Sequence, residues 1–251
     1  MRRTVFAPLA ALALAAGSMV AVAAPATAAA HPATAHSATG RPITALPTTG
    51  RLSQVGSSDE AGYVAAGATG AFSKVSSSWT EPKGHCSSGD QYSAFYVGLD
   101  GWTSDSIEQI GSELDCQGKT PEYYAWYEMY PSYPVSFSNT VDPGDELSAS
   151  VTYDGSNEFT LKISDATQGW TKSVKKSLAG AARSSAEVLV EAPPAASGPL
   201  PLADFGSVSF TGAMVNSAGL CDSDPIMVTM PGVTVSPITG CTNFTVTETG
   251  T

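Results

Sequence analysis

The feature that most constrains the fold of this chain is a period-two alternation of apolar and polar residues. In 147–153 and in 159–163 every second residue is apolar or aromatic, and the residues between them are polar. Such alternation is typical of β-strands with one buried face. Turn signals at 143–145 and 154–155 bound the first of these stretches. Short strands between regular turns predict an all-β fold, an antiparallel sandwich.

The N-terminal 30 residues have the organisation of a secretory signal peptide. Arg2 and Arg3 precede an apolar run that is short for a membrane span, and small residues follow at 25–30. We therefore expect residues 1–30 to be a signal peptide and the protein to be secreted and extracellular. Residues 31–56 are rich in Ala, Thr, Pro, Gly and Ser, which predicts a pro-segment or flexible leader. Residues 57–251 remain for one β-sandwich domain.

The net charge limits the possible binding partners, and the cysteine content predicts disulfide bonds. The formal net charge is −11 and no basic patch is present, which argues against nucleic acid or an anionic membrane as partner. Cys86, Cys116, Cys221 and Cys241 form an even set in an exported chain, so we expect disulfides. A zinc site is the alternative, but C-x₂-C spacing is missing. Of the three possible connectivities, sequence order favours Cys86–Cys116 and Cys221–Cys241.

Three predicted strands, 93–100, 123–130 and 186–193, each combine an apolar face with a face that mixes aromatic and acidic residues. If the mixed faces line one concave sheet, they form an acidic groove with aromatic walls, which suits an extended polymer. An ordinary solvated outer face is the alternative. The mixed faces carry Tyr96, Gly98, Asp100, Tyr124, Trp126, Glu128, Tyr130, Glu187, Leu189 and Glu191.

Other catalytic chemistries find little support in the sequence. His85 is the only histidine of the predicted domain, so a Ser-His-Asp triad would have to use it. The sequence has neither a metal-binding motif nor a glycine-rich phosphate loop, so we expect no metal and no cofactor. What remains is carboxylate chemistry, in which acids such as Asp100, Glu128, Glu187 or Glu191 activate water.

Five segments resemble the glutamic peptidases, also called eqolisins or peptidase family G1, and their bacterial members in particular. They occur in the order of that family, and the resemblance covers roughly residues 62–210. The segments are AFYVGLDG at 94–101, IEQIG at 107–111, YAWYEMYP at 124–131, SAEVLVEAP at 185–193 and LADFGSVSF at 202–210.

The resemblance implies two curved sheets in a concanavalin A-like sandwich and an acid-acting endopeptidase that pepstatin does not inhibit. It assigns the catalytic glutamine to Gln109. It assigns the catalytic glutamate to the second glutamate of its segment, Glu191, and not to Glu187. In this scheme Glu191 takes a proton from the attacking water while the Gln109 amide stabilises the oxyanion. The resemblance also implies a substrate cleft lined by Asp100, Tyr96, Trp126 and Glu128.

The sequence departs from the family pattern at three positions. Glu60 and Tyr96 stand where the family usually has tryptophans, and Val188 replaces an aromatic residue. A buried Glu60 would have to be protonated or paired. Two other functions therefore stay open. One is a glycoside hydrolase, which needs a second carboxylate roughly 5–9 Å from the first, and the other is a non-catalytic peptide- or glycan-binding relative. For the leading hypothesis we expect protein or peptide substrates and a monomer.

Overall fold

The computed structural model describes residues 44–45, 53–195 and 197–250. Apart from one 3-10 helix at Leu220–Ser223, the regular structure of these residues is β. No helix in the described ranges is long and apolar enough to cross a membrane. The strands are β1 Thr44–Ala45, β2 Gln54–Gly56, β3 Glu60–Ala66, β4 Lys74–Thr80, β5 Gln91–Asp100, β6 Ile107–Gln117, β7 Thr120–Tyr130, β8 Val135–Ser136, β9 Glu146–Gly155, β10 Glu158–Asp165, β11 Trp170–Ser177, β12 Ser185–Glu191, β13 Pro194–Ala195, β14 Gly198–Pro199, β15 Ser207–Val215, β16 Ala218–Gly219, β17 Ile226–Thr229, β18 Val233–Val235 and β19 Phe244–Glu248.

Two large sheets make up the domain. The first, called the site sheet below, has nine strands in the order β1-β2-β17-β3-β12-β5-β6-β7-β8. The second, called the support sheet, runs β11-β10-β9-β4-β15-β19-β18, with β16 paired to β15. The ladders at the centre of both sheets are antiparallel, whereas β2 and β17 pair in parallel. The expected all-β sandwich is confirmed.

The main apolar core lies between the two sheets. Phe95 and Ile110 of the site sheet belong to the same buried cluster as Phe159 and Phe210 of the support sheet. The apolar residues of the alternating stretches, such as Val151, also belong to this cluster. Each fully buried side chain of this size contributes roughly 1.5–3 kcal/mol of burial free energy.

The outer face of the site sheet is buried as well. A second cluster, made by Val64, Tyr96, Trp126, Leu189 and neighbours, lies on the side away from the core, and each of these four side chains is at most 1% exposed. All seven residues of β12 are buried. A solvated outer face is therefore wrong for these strands.

The predicted boundary at residue 57 does not coincide with the start of the sheet. The short strand β2 lies inside the predicted leader, yet it pairs with β17, and Val55 is only 6% exposed. Composition did not reveal this strand because three residues are too few to show periodicity. The predicted signal peptide, residues 1–30, lies outside the described residues.

Both disulfides form in the pairing that sequence order favours. Cys86 bonds to Cys116, with Cα atoms 5.4 Å apart, and joins the loop before β5 to the end of β6. Cys221 bonds to Cys241, with Cα atoms 4.9 Å apart, and joins the 3-10 helix to the loop before β19. Closing loops of 30 and 20 residues restricts the unfolded chain, which stabilises the fold by about 3–4 kcal/mol per bridge.

An unusual group, the carboxyl of Glu108, lies in the core between the sheets. Glu108 is fully buried beside its strand partners Leu99 and Met129. Neither of its oxygens has a hydrogen-bond partner among the described residues. Burial raises the pKa of Glu108 to about 9; the charge of Asp100 adds to the rise and that of Arg183 opposes it.

Glu81 is a second acid in the same core. The Trp79 ring N–H donates to the Ser112 hydroxyl at 3.1 Å, and that hydroxyl donates to the Glu81 carboxyl. Burial raises the pKa of Glu81 to about 8 against the opposing effect of these hydrogen bonds, and the charges of Asp145 and Asp165 add to the rise.

We expect the fold to lose stability as the pH rises from acid to neutral. Glu81 and Glu108 bind a proton more tightly in the folded chain, at pKa values of about 8 and 9, than at the ordinary value of 4.5. Their contribution is therefore complete below pH 4.5 and decreases above it. Each group loses about 1.4 kcal/mol per pH unit until its folded-state pKa is reached. Calorimetry from pH 4 to pH 8 should show a falling Tm.

The variant Glu108→Gln separates this effect from other causes. Its amide does not titrate, so its Tm should fall less steeply with pH than that of the wild type. Glu146→Gln, which changes an exposed glutamate on β9, serves as the control and should keep the wild-type slope. Equal slopes in all three proteins would contradict the assignment.

Candidate active site

Five neighbouring strands of the site sheet each place one residue in a row across its outer face. The register pairs Glu187 with Val64 on one side and with Gly98 on the other. Gly98 in turn pairs with Gln109, and Gln109 with Glu128. Residues directly opposite each other in antiparallel strands point to the same face. We call these five residues the acid–amide row.

The amide of Gln109 is held by a neighbouring carboxyl group. Its Nε2 donates to Glu128 Oε2 at 2.7 Å, and the two side chains are 2% and 0% exposed. A hydrogen bond at such low exposure is stronger than one in water. The bond fixes the orientation of the amide and leaves one N–H and the carbonyl oxygen of Gln109 for other partners.

A glycine separates Gln109 from Glu187. A Cβ at Gly98 would lie 3.2 Å from the Gln109 Cβ, so any larger residue would crowd the amide. The two polar residues are two strands apart, which corresponds to about 10 Å between their Cα atoms. With no side chain between them, a carboxyl and an amide at this spacing can approach the same small molecule.

The carboxyl of Glu187 has defined neighbours. Ser185 Oγ donates to its Oε1 at 3.2 Å, and Glu187 is only 2% exposed. A Cβ at Gly101 would lie 3.5 and 3.6 Å from its two oxygens, so the carboxyl leans toward the loop that follows β5. The Glu187 carboxyl therefore lies between Ser185 and the Gly101 position.

Glu191, the expected partner of Gln109, lies elsewhere on the same face. It pairs with Glu60 and Ala94, four residues along β12 from Glu187, which corresponds to about 13 Å. In addition, Gln109 is two strands away. Glu187, and not Glu191, is therefore the glutamate in the row of Gln109.

Glu191 instead faces a second carboxyl. Glu60, its direct partner on β3, is fully buried and accepts a hydrogen bond from the Tyr96 hydroxyl at 3.2 Å. The glutamate that replaces a family tryptophan is thus hydrogen-bonded to the tyrosine that replaces another. The pairing expected of a buried Glu60 is present.

Between these two rows lies an aromatic one. Tyr96 and Trp126 flank Gly111, and their ring centroids are 6.1 Å apart. A Cβ at Gly111 would lie 2.1 Å from the Phe95 carbonyl oxygen, so only glycine fits there. Tyr96, Trp126 and Glu128 therefore share the face predicted from strand parity.

Asp100, predicted to line the cleft, anchors the backbone. It is fully buried, and its carboxylate accepts hydrogen bonds from the backbone N–H groups of Arg183 at 2.7 Å and Ser184 at 2.8 Å. The Ser106 hydroxyl donates to it at 3.1 Å. Asp100 thereby ties the end of β5 to the start of β12, the strand that carries Glu187.

We expect Asp100→Ala to destabilise the fold. The change leaves two backbone N–H groups without their charged acceptor in a buried position, which costs at least about 2 kcal/mol. Urea denaturation should show the loss as a lower midpoint. Asp105→Ala, at an exposed position of the following loop, should leave the midpoint unchanged, and equal midpoints for both variants would exclude the anchor role.

Most of this chain matches the model of a known protein family. The sequence model of the peptidase A4 family matches residues 58–249. Aspergillopepsin-2 of Aspergillus niger is 32% identical over 131 residues, covering 49% of this chain and 46% of that protein. The chain thus spans about half the length of the curated relative it matches.

Solved structures give the same result. A scytalido-glutamic peptidase in complex with a transition state analog inhibitor is 26% identical, with a TM-score of 0.64, and the match covers 76% of this chain and 98% of that one. The aspergilloglutamic peptidase of Aspergillus niger is also 26% identical, with a TM-score of 0.56, covering 63% and 99% of the two chains.

Proposed function

This chain belongs to the peptidase A4 family, whose sequence model matches residues 58–249, and we propose that it is an acid-acting endopeptidase in which Gln109 and Glu187 act on one water molecule. The observation that carries the proposal is the acid–amide row, in which Glu187 and Gln109 lie on the same face of the sheet, on either side of Gly98. The two solved relatives, one of them bound to a transition state analog inhibitor, support a peptide substrate.

In the first step, the ionised Glu187 accepts a proton from water as the water attacks the scissile carbonyl. The free N–H of Gln109 stabilises the oxyanion that develops, an effect worth roughly 3–4 kcal/mol for one well-placed donor. The Glu128 carboxylate holds the other N–H, so the amide is oriented before the substrate arrives.

In the second step, protonated Glu187 passes its proton to the leaving amine and the C–N bond breaks. The pair contains no serine, cysteine or threonine, so water attacks directly and no acyl-enzyme forms. The site also lacks the pair of aspartates that pepstatin-sensitive enzymes use, and we therefore expect pepstatin to be without effect.

Access to the proposed catalytic pair requires a movement of the chain. Gln109 and Glu187 are each 2% exposed, so the substrate reaches them only when this face of the sheet opens.

The N-terminal residues form a further part of the proposal. We propose that residues 1–30 direct secretion and that part of 31–56 is removed as a leader. The two disulfides suit an extracellular protein. N-terminal sequencing of the secreted protein tests both boundaries.

The test of the pair compares two glutamates on the same strand. Glu187→Gln should reduce cleavage of denatured haemoglobin or casein at about pH 3–4 by roughly 10²–10⁴-fold, because the group that accepts and returns the proton is lost. Glu191→Gln, four residues along β12, is the matched control and should keep most of the activity. Pepstatin is present throughout.

The remaining outcomes decide between the alternatives. Loss of activity in Glu191→Gln with retention in Glu187→Gln would restore Glu191 as the catalytic carboxylate. Full activity in both variants would exclude carboxylate catalysis from β12. Peptide binding by the wild type without cleavage would indicate the non-catalytic relative, and release of reducing sugar from a glycan would indicate the glycoside hydrolase.

A second prediction concerns the space above Gly98. In Gly98→Ala the added Cβ lies 3.2 Å from the Gln109 Cβ and occupies the gap that the water molecule needs. We expect kcat to fall at least about tenfold, which corresponds to about 1.4 kcal/mol of lost transition-state stabilisation, with little change in Tm. A wild-type kcat in a folded Gly98→Ala protein would contradict the position of the water.

A further inference from the structure

We propose that Ser185 is a positioning residue that holds the Glu187 carboxyl in its ionised form and in a single orientation. The inference rests on the proposed function, since it concerns the group that accepts the proton from water. Ser185 is fully buried on β12, two residues before Glu187 and on the same face. Neither the resemblance nor the strand pattern assigns it a role.

The direction of the hydrogen bonds carries the argument. The backbone N–H of Trp102 donates to Ser185 Oγ at 3.3 Å, and Ser185 Oγ donates to Glu187 Oε1 at 3.2 Å. A backbone N–H can only donate, so the serine oxygen is the acceptor in the first bond. The single hydroxyl proton is then directed to the carboxyl.

The direction of these two hydrogen bonds favours the ionised form of Glu187. A hydroxyl that donates to a carboxyl stabilises the ionised form more than the protonated form, because the acceptor is charged. Ser185 is closed to solvent, so water cannot replace the bond. The serine thereby helps Glu187 stay ionised, and ready to accept a proton, in the acid range where the enzyme is proposed to work.

The backbone N–H of Trp102, which donates to Ser185, is itself held in place. Asp100 binds the Ser184 backbone N–H at 2.8 Å, and the Thr103 and Ser184 hydroxyls lie 2.7 Å apart. The segment 100–103 is thus attached to the start of β12 on both sides of Trp102. Within it, Gly101 has a φ of 95°, a backbone conformation that favours glycine.

The experiment compares three variants over a range of pH. Ser185→Ala removes the hydroxyl, and Ser185→Thr keeps it. Ser93→Ala is the matched control, because Ser93 is also fully buried in the site sheet but donates to the Ala203 carbonyl at 3.0 Å. For each protein, kcat and KM are measured from about pH 2 to pH 6, together with Tm.

The proposal predicts a displaced pH profile. In Ser185→Ala the acid limb of kcat should move to higher pH by roughly one unit, and kcat at the acid end should fall about tenfold with KM little changed. Ser185→Thr should restore the wild-type limb. Ser93→Ala should lower Tm alone. If threonine destabilises the fold, the two alanine variants decide the question by themselves.

Two results overturn the inference, and a third separates it from the proposed function. If the acid limb of the kcat–pH profile of Ser185→Ala coincides with that of the wild type, Ser185 is not a positioning residue. The same conclusion follows if Ser93→Ala shifts the acid limb as far as Ser185→Ala does. Glu187→Gln is assayed in parallel. Activity in that variant rejects the proposed function itself, whereas an inactive Glu187→Gln with an unmoved Ser185→Ala profile rejects only the role of Ser185.

Discussion

The register of four antiparallel strands, β12, β5, β6 and β7, is the constraint on which the site depends. It aligns Glu187, Gly98, Gln109 and Glu128 although these residues are far apart in sequence. A slip by one residue would turn each side chain of a strand to the other face. A slip by four residues along β12 would keep the face and bring Glu191 into the row instead. The core contacts of Phe95 and its neighbours on the opposite face oppose both slips.

Burial on both faces of the site sheet encloses carboxyl groups on each of them. The outer face holds the acid–amide row beside a second apolar cluster, and the inner face holds Glu108 without a hydrogen-bond partner in the described residues. A carboxyl in the position of Glu108 is favourable only while it is neutral. Acid solution therefore supplies the proton that keeps Glu108 neutral.

The local sequence pattern predicted the strands and which residues share a face. The alignment of strands that are far apart in sequence determined which residues lie next to each other. Period-two alternation correctly placed Tyr96, Trp126 and Glu128 on one face, because parity is a property of each strand alone. It did not distinguish Glu187 from Glu191, which have the same parity and differ in their partners on β3 and β5. It also gave no sign that Asp100 would bind backbone N–H groups at the start of β12, a contact across 83 positions of the chain.

The hydrogen bond between Tyr96 and Glu60 has a consequence for anyone who redesigns this groove. The two residues stand at positions where the related peptidases usually carry tryptophans, and here the hydroxyl of one serves the buried carboxyl of the other. A tryptophan at either position alone would remove one partner of this hydrogen bond and leave the other partner buried. The two positions are thus epistatic, and they should be exchanged as a unit.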